Sequence, residues 1–195
     1  HVPWIHNVRN MDLVAAIDDA VVLRLLRLFN EPAGQAYLTE QGVDPDIVGK
    51  LHHFGISSIA NIMGAIKLAR YYEYNERDTV FTVATDSLVM YESRLAEARE
   101  AEGEYTETDA AVDFEGRLLG VGTDNMLELS YNDKKRMHNL KYFTWVEQQG
   151  KDVDELDAQW YDDDYWTRQF ALAEEWDRQI TAFNERTGVL KKYLS

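Results

Sequence analysis

The sequence predicts an α/β fold: a partial parallel sheet flanked by helices, followed by an all-helical C-terminal extension. Two apolar, β-prone runs support the sheet, LVAAI at residues 13–17 and TVFTVAT at residues 79–85. Helix-like sequence follows each, and strand–helix–helix–strand–helix order places parallel strands in one layer. The third observation is a change of character near residue 100. Beyond it helical spacing continues with no strand-like run, and four of the five tryptophans gather there, Trp145, Trp160, Trp166 and Trp176. The expected division is residues 1–99 as an α/β core and residues 100–195 as a helical extension suited to packing on a core or a partner subunit.

Taken in order, residues 13–17 end at Asp18 and Asp19, which suit a helix N-cap, and AVVLRLLRLF continues with apolar residues every three or four positions. The stretch NEPAGQAYLTEQGVDPDIVGK holds two of the three prolines and reads as two short helices broken at residues 42–45. A glycine and two serines, Gly55, Ser57 and Ser58, then lead into a helix over about residues 58–74. A polar turn at residues 75–78 precedes TVFTVAT, the strongest strand signal in the chain because it is β-branched and aromatic. A helix starts near Asp86 or Ser87 and runs through MYESRLAEAREAEG. Residues 107–119, 132–149 and 165–187 read as further helices, punctuated by Gly120, Gly122 and Gly150.

Composition narrows the function. The 35 acidic residues against 20 basic give a formal net charge of −15. Such a field repels nucleic acid and anionic membrane, so neither is an expected partner. The chain contains no cysteine, which removes disulfides, thiolate metal sites and a cysteine nucleophile. No apolar run approaches the length of a bilayer span, and no signal-peptide pattern is present, so the expected location is cytoplasmic.

Motifs for other chemistries are weak. His52 and His53 are adjacent and diverge on a helix, no HxxxH or HExxH occurs, and Asp162–Asp164 lacks the glycine and alternation of a calcium loop. No metal site is expected. FGISSIA does not match the GxSxG nucleophile elbow, and GVGTDN has neither P-loop nor GxGxxG spacing. Ser57 and Ser58 have two readings. Either serine can cap the helix, and the small residues Ala60, Gly64 and Ala65 can let a backbone or a planar ligand approach closely.

The stretch GISSIANIMGAIKLARYYEYNERDTVFTVATDSLVMYESR resembles the C-terminal part of cysteine synthase and related fold-type II pyridoxal-phosphate enzymes. The resemblance rests on Gly55-Ile56-Ser57-Ser58, Lys67-Leu68-Ala69, residues 79–85, and Asp86-Ser87 through Tyr91, with Val2-Pro3 and residues 13–17 upstream. Beyond residue 100, TDNMLEL and HNLKYFTWVEQQGK are similar to bacterial proteins described as pyridoxal-phosphate-dependent beta subunits. The resemblance implies pyridoxal 5'-phosphate as cofactor, an amino-acid substrate, and β-elimination or β-replacement. It places Ser57 on the pyridine nitrogen, with Gly55, Ser58, Asp86 and Ser87 along the same ring edge. A neutral hydroxyl there leaves the nitrogen unprotonated and makes the ring a weaker electron sink than a carboxylate partner would.

The departures are equally specific. The family's Schiff-base lysine motif and its glycine-rich phosphate loop are absent, Ile59 replaces the second glycine of GISSGA, and about 20 extra residues separate the first long helix from GISS. The resemblance therefore implies part of an active site, completed by a missing N-terminal half or another chain; the expected protein partner is a second copy in a homo-oligomer or that missing half. The alternatives are a truncated, non-catalytic, self-associating module, or an unrelated activity such as hydrolysis on the truncated fold.

Overall fold

The computed structural model of the chain describes residues 6–194; Val2 and Pro3, used for the resemblance, lie outside them. Among these residues the protein is mostly helical, and its sheet is a two-stranded antiparallel pair. The expected α/β class with a parallel sheet is corrected accordingly. Strand β1 (Leu13–Ala15) pairs with β2 (Met126–Glu128). The Ala16 N–H donates to the Asn125 carbonyl at 2.9 Å and the Leu129 N–H to the Asp12 carbonyl at 2.8 Å. Partners thus retreat along one strand as they advance along the other, which defines the antiparallel sense.

The correction turns on residues 79–85. TVFTVAT forms no regular element and every residue in it is exposed, Phe81 at 91%. Among the described residues its main chain makes one hydrogen bond, from the Asn61 side-chain amide to the Val83 carbonyl at 2.9 Å. β-Branched side chains favour an extended backbone, but a strand is stabilised by a neighbour that completes its ladder and buries one face. No described strand lies beside this one.

The chain divides into two compact units. One is Val14–Leu127; the other joins residues 6–13 to residues 128–194. Residues 100–127 pack with the first of these.

In the Val14–Leu127 unit, α1 (Asp19–Asn30) begins at Asp18, whose carboxylate accepts the Ala20 N–H at 2.9 Å. Its apolar positions bury Val22, Leu25, Leu26, Leu28 and Phe29. The insertion after α1 folds as α2 (Pro32–Glu40) and α3 (Pro45–Val48), each with proline in its first turn, where the missing N–H costs nothing. The break expected at residues 42–45 separates them. Helices α4 (Ile56–Tyr71), α5 (Glu92–Glu102) and α6 (Glu107–Val112) follow, and α6 continues as a π-helical turn over Asp113–Leu119. Leu38, Val48, Ile59, Met63, Leu95, Ala110 and Phe114 close the core around α1.

Packing of α2 on the end of α1 depends on a missing side chain. A Cβ on Gly34 would lie 2.1 Å from the Leu28 carbonyl oxygen, a main-chain atom that cannot move alone. Gly34→Ala is expected to destabilise the unit by about 1–3 kcal/mol, although alanine is the better helix former. The midpoint of urea unfolding measures this, and an unchanged or raised midpoint would contradict the close approach.

A charged layer lies beside this core. Asp113 is fully buried and accepts from Arg24 Nε at 2.9 Å, Tyr105 Oη at 2.7 Å and Arg117 Nε at 2.7 Å. Arg24 also reaches Glu102 and Asp109, while the buried Arg27 donates to Glu102 and to the Gly103 carbonyl.

In the second unit, α7 (Tyr131–Asn139) starts with a capping box between Ser130 and Asp133. A π-helical turn over Tyr142–Glu147 is followed by α8 (Val153–Tyr161), α9 (Tyr165–Ala171), α10 (Ala173–Thr187) and the short α11 (Lys191–Leu194). Gly188, in the left-handed region at φ 65°, ends α10. Val8, Leu129, Leu156, Trp160 and Tyr165 are buried together with the polar side chains of His138, Lys141 and Gln159. Among the described residues no helix is long and apolar enough to cross a membrane.

Candidate functional site

Four of the five residues singled out by the sequence meet at the start of α4. Its N-cap is Gly55, which has no side chain to satisfy the first free amides. Neither serine caps the helix, because Ser57 and Ser58 already lie in its first turn. The acceptor comes from Asp86. Its Oδ2 takes the Ser57 N–H at 3.0 Å, and its Oδ1 takes the Ser58 N–H at 2.9 Å. The Ser58 hydroxyl lies 2.7 Å from Oδ1 and 2.9 Å from the Asp86 carbonyl oxygen, and it accepts the Asp86 N–H at 3.2 Å. Gly55 donates its own N–H to the Asp86 carbonyl at 3.0 Å, and Tyr91 Oη donates to Oδ2 at 2.7 Å.

The clamp leaves no space at Gly55. A Cβ there would stand 2.7 Å from Tyr91 Cε2 and 2.8 Å from Asp86 Cγ. Ser58 is buried, whereas Ser57 is exposed. Ser87 is half-buried and precedes the 3-10 turn Leu88–Met90 without a side-chain capping bond.

Burial alone would raise the Asp86 pKa. The hydrogen bonds from Tyr91, from the Ser58 hydroxyl and amide, and from the Ser57 amide outweigh it and hold the carboxyl well below the usual carboxylate range. The positive end of α4 favours the anion as well. The hydrogen bond to Asp86 is also the main reason the Tyr91 phenol is pushed up. A carboxylate this acidic, with donors on both oxygens, is a poor proton acceptor at neutral pH. Its role is to tie residue 86 to the helix start. The hydroxyl on the exposed side is that of Ser57, which hydrogen-bonds the Tyr91 phenol.

Other expected features are placed differently. Ile59 is fully buried in the core, so the bulk that replaces glycine points away from the exposed serine. Ala60, Gly64 and Ala65 are half-buried, and a Cβ on Gly64 would meet nothing within 4 Å, so no close approach requires that glycine. Lys67, further along α4, is buried and donates to the Asp124 carbonyl at 2.5 Å. It lines a separate cavity of about 280 Å³ with Arg117, Gly120 and Gly122. Tyr91 belongs to the clamp although its sequence position marked it only as the end of a motif. The signal for it is its place five residues beyond Asp86, across the 3-10 turn, close enough for the phenol to fold back.

The second unit carries an aromatic cavity of about 680 Å³, lined by Trp145, Trp166, Trp176, Tyr165 and Phe170 with Glu155 at its wall. Among the described residues no group of three histidine, aspartate or glutamate side chains is placed to hold a metal ion. No family model matches the chain, and no curated protein or solved structure matches it.

Proposed function

We propose that this chain supplies the pyridine-nitrogen edge of a pyridoxal 5'-phosphate site, in a protein acting on amino acids by β-elimination or β-replacement. The observation that supports this reading is convergence. Gly55, Ser57, Ser58 and Asp86 were grouped by resemblance alone, and they meet at one helix start although Asp86 lies 28 residues beyond Ser58. Asp86 is occupied by the clamp, and the exposed Ser57 hydroxyl, which would exchange its hydrogen bond with Tyr91 for one to the ring, is the group suited to a ring nitrogen. When bound, the cofactor supplies the electron sink for chemistry at the amino-acid α-carbon. The part played by these residues is to orient the ring and to keep its nitrogen facing a neutral hydroxyl.

The residues present fit that edge and no other part of the cofactor. Among the described residues no lysine and no glycine-rich anion cradle adjoins Ser57, and Lys67 is held at Asp124. The lysine and the phosphate loop are therefore assigned to polypeptide outside these 195 residues, either another chain or an N-terminal half.

Titrating the chain with pyridoxal 5'-phosphate while recording amide NMR signals tests this. Shifts are expected to centre on Ser57, Ser58 and Tyr91, and Ser57→Ala is expected to weaken binding about tenfold, the loss of one hydrogen bond. Because Ser57 is exposed, the same substitution is expected to change folding stability by no more than about 0.5 kcal/mol. Unchanged affinity in the variant would refute the role of Ser57. Stoichiometric labelling of a single lysine after borohydride reduction would refute the assignment of the lysine elsewhere.

A further inference from the structure

The aromatic cavity lies wholly within the unit formed by both chain ends. Three indoles, Trp145, Trp166 and Trp176, line its volume of about 680 Å³ together with Tyr165 and Phe170. Contacts within the unit set two of these rings. Trp166 donates its Nε1–H to the Gln159 carbonyl at 3.2 Å, and Tyr165 packs edge-on against the indole with ring centres 5.2 Å apart. Trp176 and Phe170, 53% and 76% exposed, stay open to water. The wall also holds one carboxylate, Glu155, to which Tyr165 Oη donates at 3.4 Å.

We propose that this cavity binds an organic cation, a quaternary ammonium head group carrying a short polar arm. Ring faces carry the negative part of the aromatic quadrupole, indole most strongly, and attract a cation that sheds its water cheaply. An alkylated ammonium meets that condition, and it has no N–H that an apolar wall would leave unpaired. The protein already uses these rings in this way. The ammonium of Lys141, 1% exposed and outside the cavity wall, lies 5.8 Å from the Trp145 ring centre and 5.4 Å from that of Trp166.

Lys141 repels a second cation, but the surrounding sequence outweighs that single charge. Between Trp145 and Arg178 the chain has eleven acidic residues against Lys151, Arg168 and Arg178, so the field around the cavity attracts cations. Lys151 is the competitor within the wall. Its ammonium stands 3.7 Å from Glu155 Oε2 on a side chain 50% exposed. A pair so long and so open contributes little, and a ligand cation can replace it. The carboxamides Gln149 and Gln169, also in the wall, offer a donor and an acceptor each to a polar arm such as a hydroxyl.

Titration of the full chain with choline, followed by NMR of the ligand methyl signal and of the indole N–H signals, tests this. The methyl signal is expected to move upfield saturably under the ring currents, with protein shifts at Trp145, Trp166 and Trp176. Dimethylbutanol, in which carbon replaces the charged nitrogen, is expected to bind about tenfold more weakly or worse. Glu155→Gln is expected to weaken choline binding about fivefold and to leave the alcohol unchanged. Lys151→Ala frees the carboxylate and is expected to strengthen choline binding by a similar factor. Far-UV circular dichroism of both variants should match that of the parent. Equal affinity for choline and the alcohol would overturn the proposal by reducing the cavity to an apolar cleft. The absence of a saturable shift at the three indoles would overturn it too, as would a choline affinity indifferent to both substitutions.

Discussion

Asp113→Ala is expected to lower the stability of the Val14–Leu127 unit by about 3–5 kcal/mol, a large share of what a domain of this size possesses. The carboxylate is fully buried and is the common acceptor for Arg24, Tyr105 and Arg117. Removing it strands the Tyr105 hydroxyl, itself buried, and deprives Arg24 of its innermost partner. The loss is chiefly the cost of leaving donors unpaired in the interior, not the net value of the ion pairs. Asp113→Asn should cost less, about 2 kcal/mol, because the amide oxygen still accepts one bond while the amide nitrogen faces donors. Adding Tyr105→Phe to Asp113→Ala should recover part of the loss by removing one stranded group. Urea unfolding of the three variants measures the series. A cost below about 1 kcal/mol for Asp113→Ala would show that the layer is not the buried network described here.

Helix periodicity was legible wherever apolar spacing met a cap or a proline. Asp18 starts α1, Pro32 and Pro45 start α2 and α3, and the helix expected over residues 107–119 is present as α6 with its π-helical continuation. Two kinds of information were not local. The composition of residues 79–85 specifies an extended backbone but carries no knowledge of whether a second strand stands beside it. The three residues of β2 carry almost no strand signal, and pair only because β1, more than a hundred positions earlier, is brought to them. The candidate site divides in the same way. Resemblance groups Ser57, Ser58 and Asp86, but the local sequence offers the serines themselves as one source of the cap, because a cap is normally sought within a few residues. Here the capping carboxylate arrives from a distant segment. The charged layer around Asp113 was invisible for a similar reason. Arg24, Arg27 and Asp113 look like solvated residues of amphipathic helices until packing turns them towards each other.

Acidification from pH 7 to pH 4 is expected to weaken the unit formed by both chain ends, and His138 is the main cause. Burial pushes its imidazole down to about 4, with the nearby cations Lys141 and Lys135 adding to the effect; the Leu156 carbonyl and Asp157 oppose it. The side chain is 2% exposed, and its Nε2 lies 3.0 Å from the Leu156 carbonyl oxygen, an arrangement that suits a neutral ring donating one N–H. In the unfolded chain the group titrates near 6.5, so between pH 6.5 and 4 the unfolded state binds the extra proton and the folded state does not. Stability from this group is therefore complete above pH 6.5 and declines as pH falls, by about 3 kcal/mol once pH 4 is reached. His6 is shifted in the same direction, by burial first and then by Lys141, and adds to the slope. The net negative charge works the other way, since protonating carboxylates relieves repulsion in the folded state. The comparison that isolates His138 is the variant His138→Gln, which keeps a neutral donor for Leu156 and cannot titrate. Unfolding followed by tryptophan fluorescence should show a shallower loss between pH 6.5 and 4 in the variant, even if its stability at pH 7 is lower. Imidazole NMR should place the His138 transition near pH 4. A transition at the ordinary histidine value, or equal slopes in the two proteins, would mean that acid acts on this unit through other groups.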